Sequence, residues 1–74
     1  MKTDALQKKL GQAIRRRREQ LGFSQESMAD SMRMHRAYYS AIERGEKNLT
    51  LKTIERLARA VEARVSELMA DAGD

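Results

Sequence analysis

The run from Arg36 to Arg44 carries the most pointed chemistry in this chain. In a helix turning by about 100° per residue, Tyr39, Ile42 and Glu43 fall on one face. Arg36, Ala37, Ser40, Ala41 and Arg44 fall on the other. That second face is small, polar and basic, as a surface that enters and reads a groove should be; bulky apolar residues would obstruct the contact. Other chemistries find little to work with. His35 is the sole histidine and there is no cysteine, so thiolate metal sites and disulfides are excluded. No carboxylate pair or nucleophile–base pair stands out. Ser24 and Thr50 have no neighbouring base and read as helix caps. No catalytic residue, metal, cofactor or small-molecule ligand is expected.

The elements that must hold this face are all helical. Proline is absent, and no stretch alternates apolar and polar residues long enough to make a strand. A first helix is expected from about Asp4 to Leu21, with Leu6, Leu10, Ile14 and Leu21 as its apolar stripe and Gly22 as its stop. Ser24 caps a second, running to about Ser31, with Met28, Ala29 and Met32 inward. The third begins around His35–Arg36 and ends before Gly45. Thr50 caps a fourth, whose inner face is Leu51, Ile54, Leu57, Ala58 and Val61. A short fifth, roughly Val65 to Ala70, is expected to bury Val65, Leu68 and Met69. Met28, Met32, Met34 and Met69 all fall on inward positions, where methionine fills irregular small cores well. With no repeat, linker or low-complexity tract, residues 1–74 read as one domain with a core from about 6 to 70.

Charge is unevenly spread. Residues 1–23 carry seven Lys/Arg against two Asp/Glu, whereas residues 53–74 carry three against five. A net charge of +4 with this asymmetry suits binding to a polyanion. No apolar run approaches the roughly 18 residues needed to cross a bilayer, and no apolar signal region opens the chain, so a cytoplasmic protein without membrane contact is expected. The basic first helix has too few large apolar residues for a membrane-surface role.

Only Met32-Arg33-Met34 separates the second and third segments. Such a short connection cannot bring two helices side by side; they must cross steeply, as in a helix-turn-helix. The runs Ser24-Gln25-Glu26, Met28-Ala29 and Arg36-Ala37-Tyr38-Tyr39-Ser40-Ala41-Ile42-Glu43-Arg44-Gly45 resemble the Xre family of Cro/repressor-type regulators. Asn48-Leu49-Thr50-Leu51-Lys52-Thr53 and Leu57-Ala58-Arg59-Ala60 continue the likeness, which spans about residues 10–69. Within that family, His35-Arg36-Ala37-Tyr38 and Glu43-Arg44-Gly45 with Asn48-Leu49-Thr50 are similar to the controller proteins of restriction–modification systems.

The resemblance implies an all-α, five-helix, lambda-repressor-like domain that binds double-stranded DNA as a homodimer and regulates transcription. It implies Arg36 and Ala37 at base edges, with Ser40 and Ala41 one turn further along, and Gln25, Tyr38, Arg44, Lys47 and Asn48 at phosphates. Arg18 and Glu43 match an ion pair that ties the first helix to the third. Leu49, Leu51, Val65 and Met69 are the candidate dimer contacts. Three positions depart from the family's habit. Arg33 and Glu62 stand where glycine or a small turn former is usual, and Arg64 replaces the small cap of the fifth helix. Arg15 and Arg16 read as a solvated face, while Arg17 sits where the stem could cover core and the head reach solvent or phosphate. The rival reading is a protein-binding module on the same fold, antitoxin-like or a scaffold subunit, with only non-specific DNA affinity.

Overall fold

The computed structural model describes residues 2–73, with side chains described from residue 5 onward. Among them are five helices: α1 (Lys2–Gln20), α2 (Gln25–Ser31), α3 (Arg36–Glu43), α4 (Leu51–Ala60) and α5 (Val65–Gly73). They fill a body of 30 × 22 × 20 Å. None of these helices is long and apolar enough to cross a membrane.

The starts follow from capping chemistry. Ser24 accepts from the Ser27 amide while the Ser27 hydroxyl accepts from the Ser24 amide, a reciprocal capping box. Thr50 accepts from the Thr53 amide. His35 occupies the cap of α3 without a side-chain hydrogen bond, so the first turn of α3 keeps free amides. At α5 the cap residue Arg64 has no side-chain acceptor. Glu67 compensates by accepting from the Arg64 amide at 2.8 Å.

The stops share one geometry. After each of α1 to α4 the chain folds back through a residue with positive φ: Gly22, Arg33, Gly45 and Glu62. The following residue donates to a carbonyl one turn earlier: Phe23 to Arg18, Met34 to Ala29, Glu46 to Ala41 and Ala63 to Ala58. This is the Schellman stop. Glycine adopts its left-handed residue freely, whereas Arg33 at φ 54° and Glu62 at φ 58° pay about 1–2 kcal/mol each. The turn into α3 is therefore unadjusted, and Arg33 carries the strain of a left-handed backbone.

Leu10, Ile14, Met28, Met32, Tyr39, Ile42, Ile54, Leu57, Val61 and Leu68 meet in the core. Several expectations about its edges need correction. Leu51 was placed on the inner face of α4 but is 82% exposed, because it is the first helical residue and lies beyond the reach of α1 and α5. Val65 and Met69 are each 37% exposed; α5 runs three residues further than expected, to Gly73, and buries Leu68, as expected, together with Ala72. Leu6 and Leu21 are exposed, and on α1 the buried arc is completed by Ala13 and Arg18. Met34 is half-buried, packed against the core rather than within it.

Two groups of contacts place α3. It packs on α1 and α2, while α5 packs on α1 and α4. Arg56 of α4 donates to the Met32 carbonyl at the end of α2, at 2.6 Å, tying the remaining pair together. Gly11 lets α1 approach α3 closely: a Cβ there would sit 2.5 Å from the Glu43 carbonyl oxygen and 2.6 Å from that of Ile42.

Candidate nucleic-acid interface

Glu43 is an acid at the end of a helix that turns its inner side to the core, and burying it alone would be costly. Three donors offset that. Arg18 approaches as a fork, Nε to Oε2 at 2.7 Å and Nη2 to Oε1 at 3.2 Å. Gln25 Nε2 donates to Oε1 at 2.9 Å. The remaining Arg18 nitrogen, Nη1, donates to the Phe23 carbonyl at 2.7 Å. The Arg18 and Glu43 side chains are only 8% and 2% exposed, so one cluster clamps α1, α2 and α3 together. Tyr39 is fully buried beside it, and its hydroxyl finds no partner of hydrogen-bonding geometry among the described residues.

Burial works to raise the Glu43 pKa, but the hydrogen bonds from Arg18 and Gln25 and the nearby Tyr39 hydroxyl outweigh it and hold the carboxyl below its ordinary 4.5. Burial likewise pushes the Tyr39 phenol far above its usual range. A carboxylate with a depressed folded pKa stabilises the fold above its unfolded pKa, and the contribution is lost as pH falls through the folded value. Stability measured by urea unfolding should therefore hold down to about pH 4.5 and then fall. The Glu43 side-chain carboxyl resonance should titrate below the ordinary glutamate range.

The outer side of α3 is open at its first turn. Arg36, Ala37 and Tyr38 are all exposed, and Ser40 is half-buried. Ala41 does not join them. It was expected on the outer face but is 6% exposed, because the returning chain at Glu46 donates to its carbonyl and covers it. Ala41 forms the floor of a shallow groove walled by His35, Ala37, Tyr38, Arg44, Glu46 and Lys47.

The basic residues around that groove are held in place. Arg44 makes a fork onto Glu46, Nε to Oε2 at 3.0 Å and Nη2 to Oε1 at 3.1 Å, and donates from Nη1 to the Ser40 hydroxyl at 2.7 Å. Its hydrogen bond to Glu46 raises the already high Arg44 pKa and lowers that of Glu46. Lys47 lies over the Tyr38 ring, Nζ to centroid 5.4 Å. Asn48 accepts from Gln7 of α1. The structure thus gathers Arg36, Ala37, Tyr38, Ser40, Arg44 and Lys47 on one side. Gln25 has one amide proton committed to Glu43, and among the described residues nothing accepts the other.

Other partners had no signal in the residue pattern. Glu46 on Arg44, Gln7 on Asn48 and the closeness of Gly11 to α3 are long-range or cap-dependent pairings. Arg17, expected to reach solvent or phosphate, instead pairs with Asp71 of α5 at 2.7 Å.

A family model described as helix-turn-helix matches residues 14–68. The chain belongs to that Xre-type helix-turn-helix family of DNA-binding regulators. It is 38% identical over 55 residues to control protein C.MunI of Mycoplasma sp., a stretch covering 74% of each chain. This helix-turn-helix protein also superposes on the restriction-modification controller protein C.AhdI from Aeromonas hydrophila with a TM-score of 0.76, at 38% identity over 82% of this chain and 92% of that one. On the clp gene regulator ClgR from Corynebacterium glutamicum the TM-score is 0.88, at 28% identity over 92% of this chain and 87% of that one. The likeness to restriction–modification controllers read from the motif is borne out.

Proposed function

We propose that this helix-turn-helix protein is a sequence-specific transcriptional regulator that binds double-stranded DNA as a homodimer on a pseudo-palindromic operator, in the cytoplasm. The observation that carries this reading is the exposed, small and basic first turn of α3, mounted on the buried Arg18–Glu43–Gln25 cluster. α3 enters the major groove N-terminal end first. Arg36 makes a bidentate contact to a guanine edge and Ala37 packs on a thymine methyl. Ser40 lies behind them, toward a phosphate or a base. The free amide proton of Gln25, the Tyr38 hydroxyl, and Arg44, Lys47 and Asn48 hold backbone phosphates and set the register.

Dimerisation is supported by the apolar surface left open on the α4–α5 side. Leu51, Val65 and Met69 are exposed there, and Leu6, Leu10, Leu49, Ile54 and Met69, together with the hydrogen-bonded Gln7 and Asn48, line a small groove of about 150 Å³. A two-fold pair through these residues presents two α3 helices to half-sites one helical turn apart.

Selection of bound sequences from a random duplex pool tests the reading. A two-fold symmetric motif is expected; no enriched motif would instead favour a module that binds other proteins. On the selected operator, Arg36→Ala should cost about 1–3 kcal/mol and relax preference at one base pair, with helix content unchanged. Lys47→Ala should weaken operator and random duplex alike and lower the salt slope by about one unit. Equal losses from Arg36→Ala on both duplexes would place Arg36 on phosphate.

A further inference from the structure

Resting on the DNA-binding reading, we infer that Glu46 is a built-in competitor for the DNA backbone, its carboxylate filling the Arg44–Ser40 seat that a phosphate takes in the complex. The seat has the form of an anion site. A guanidinium fork contributes two parallel N–H donors to two oxygens of one carboxylate, at 3.0 and 3.1 Å. The same guanidinium is braced by the Ser40 hydroxyl at 2.7 Å. Arginine forks match carboxylate and phosphate oxygens equally well, so the two anions exclude each other.

The fold, not chance proximity, brings Glu46 there. Residues two apart in a helix do not face each other, but α3 has ended at Glu43. The left-handed Gly45, φ 75°, turns the chain back so that Glu46 donates its amide to Ala41 and lays its carboxylate beside Arg44. Both side chains are more than half exposed, so the pair opens onto solvent on the side where α3 is exposed and can be exchanged. The contrast with the start of α3 is direct. Among the described residues Arg36 has no ion-pair partner, while Arg44 is occupied by Glu46 and Lys47 by the Tyr38 ring. The base-reading end is open and the phosphate-holding end is occupied until a duplex displaces what fills it.

Competition from Glu46 lowers affinity for every duplex, whatever its sequence, and so sets the protein concentration at which sites fill. On random DNA the carboxylate stays on Arg44 and one phosphate contact is forgone.

The test measures binding of a random-sequence duplex by fluorescence anisotropy over a salt series, for wild type, Glu46→Gln, Arg44→Ala and the double variant. One additional neutralised phosphate steepens the slope of log K against log salt by about 0.9, which at 0.1 M salt is a gain of up to about eightfold. Glu46→Gln should show both changes, and the double variant should bind no more tightly than Arg44→Ala alone. Unchanged or weaker binding by Glu46→Gln would overturn the proposal and make Glu46 a residue that positions Arg44. An equal gain in the Arg44→Ala background would overturn it in favour of general charge repulsion. If wild type binds no duplex at all, the DNA-binding reading itself fails. Circular dichroism checks that all four proteins keep their helix content.

Discussion

Arg18→Ala should lose about 3–5 kcal/mol of folding stability, the cost of stranding a buried charge. Glu43 would keep only the Gln25 amide at 2.9 Å, in a site where its side chain is 2% exposed. The Phe23 carbonyl would lose its donor as well. A chain of 74 residues has a total stability on the order of 4–11 kcal/mol, so the loss takes about a quarter or more of it and the variant should melt far below wild type. Thermal and urea unfolding followed by circular dichroism measure this directly. The double change Arg18→Met with Glu43→Leu removes both charges and should recover much of the loss. If it recovers stability but not operator affinity, the pair's role is to orient α3; if Arg18→Ala is as stable as wild type, the buried clamp is not what holds the helices.

Gly45→Ala should be nearly as damaging, for a different reason. At φ 75° an alanine pays about 1–2 kcal/mol for the left-handed backbone alone. Its Cβ would also lie 2.6 Å from the Cα of Lys8 in α1, a backbone atom that cannot step aside. Overpacking of this kind costs about a further 1–3 kcal/mol. Gly22 supplies the control: its φ is 83° and a Cβ there meets nothing within 4 Å. Gly22→Ala should show the conformational cost without the clash. The difference between the two melting curves isolates the α1 contact, and equal destabilisation would mean that contact relaxes freely.

What was legible in the sequence was whatever depends on near neighbours. Ser24 and Thr50 announce helix starts because a hydroxyl satisfies an amide three residues on, and Gly22 and Gly45 announce stops because they accept positive φ. The steep crossing of α2 and α3 follows from the three residues between them. Arg18 and Glu43, 25 residues apart, came from resemblance, since no spacing rule links them. Angular position around a helix misjudged Ala41, because it gives direction but not what the returning chain covers. It misjudged Leu51 and Val65 because each opens its helix and projects past the elements that would bury it, and Met69 because α5 turns Leu68 and Ala72 inward. Gly11 carried no local sign: it sits in mid-helix, and only the approach of α3 explains it. Glu46 was missed because its partner lies two residues away across a Schellman stop, outside helical pairing rules.

Arg17 and Arg18 are consecutive in α1 yet reach opposite partners, Asp71 of α5 and Glu43 of α3. One turn of one helix therefore acts as the bracket on which both the proposed dimerising helix and the proposed reading helix are mounted. In a two-fold pair joined through α5, the separation between the two reading helices is a dimension of α1 rather than of any flexible joint. Such a dimer would be a fixed-span caliper: its operator spacing would be set by the α1 bracket, and a site lengthened by one base pair would have to twist the DNA rather than the protein.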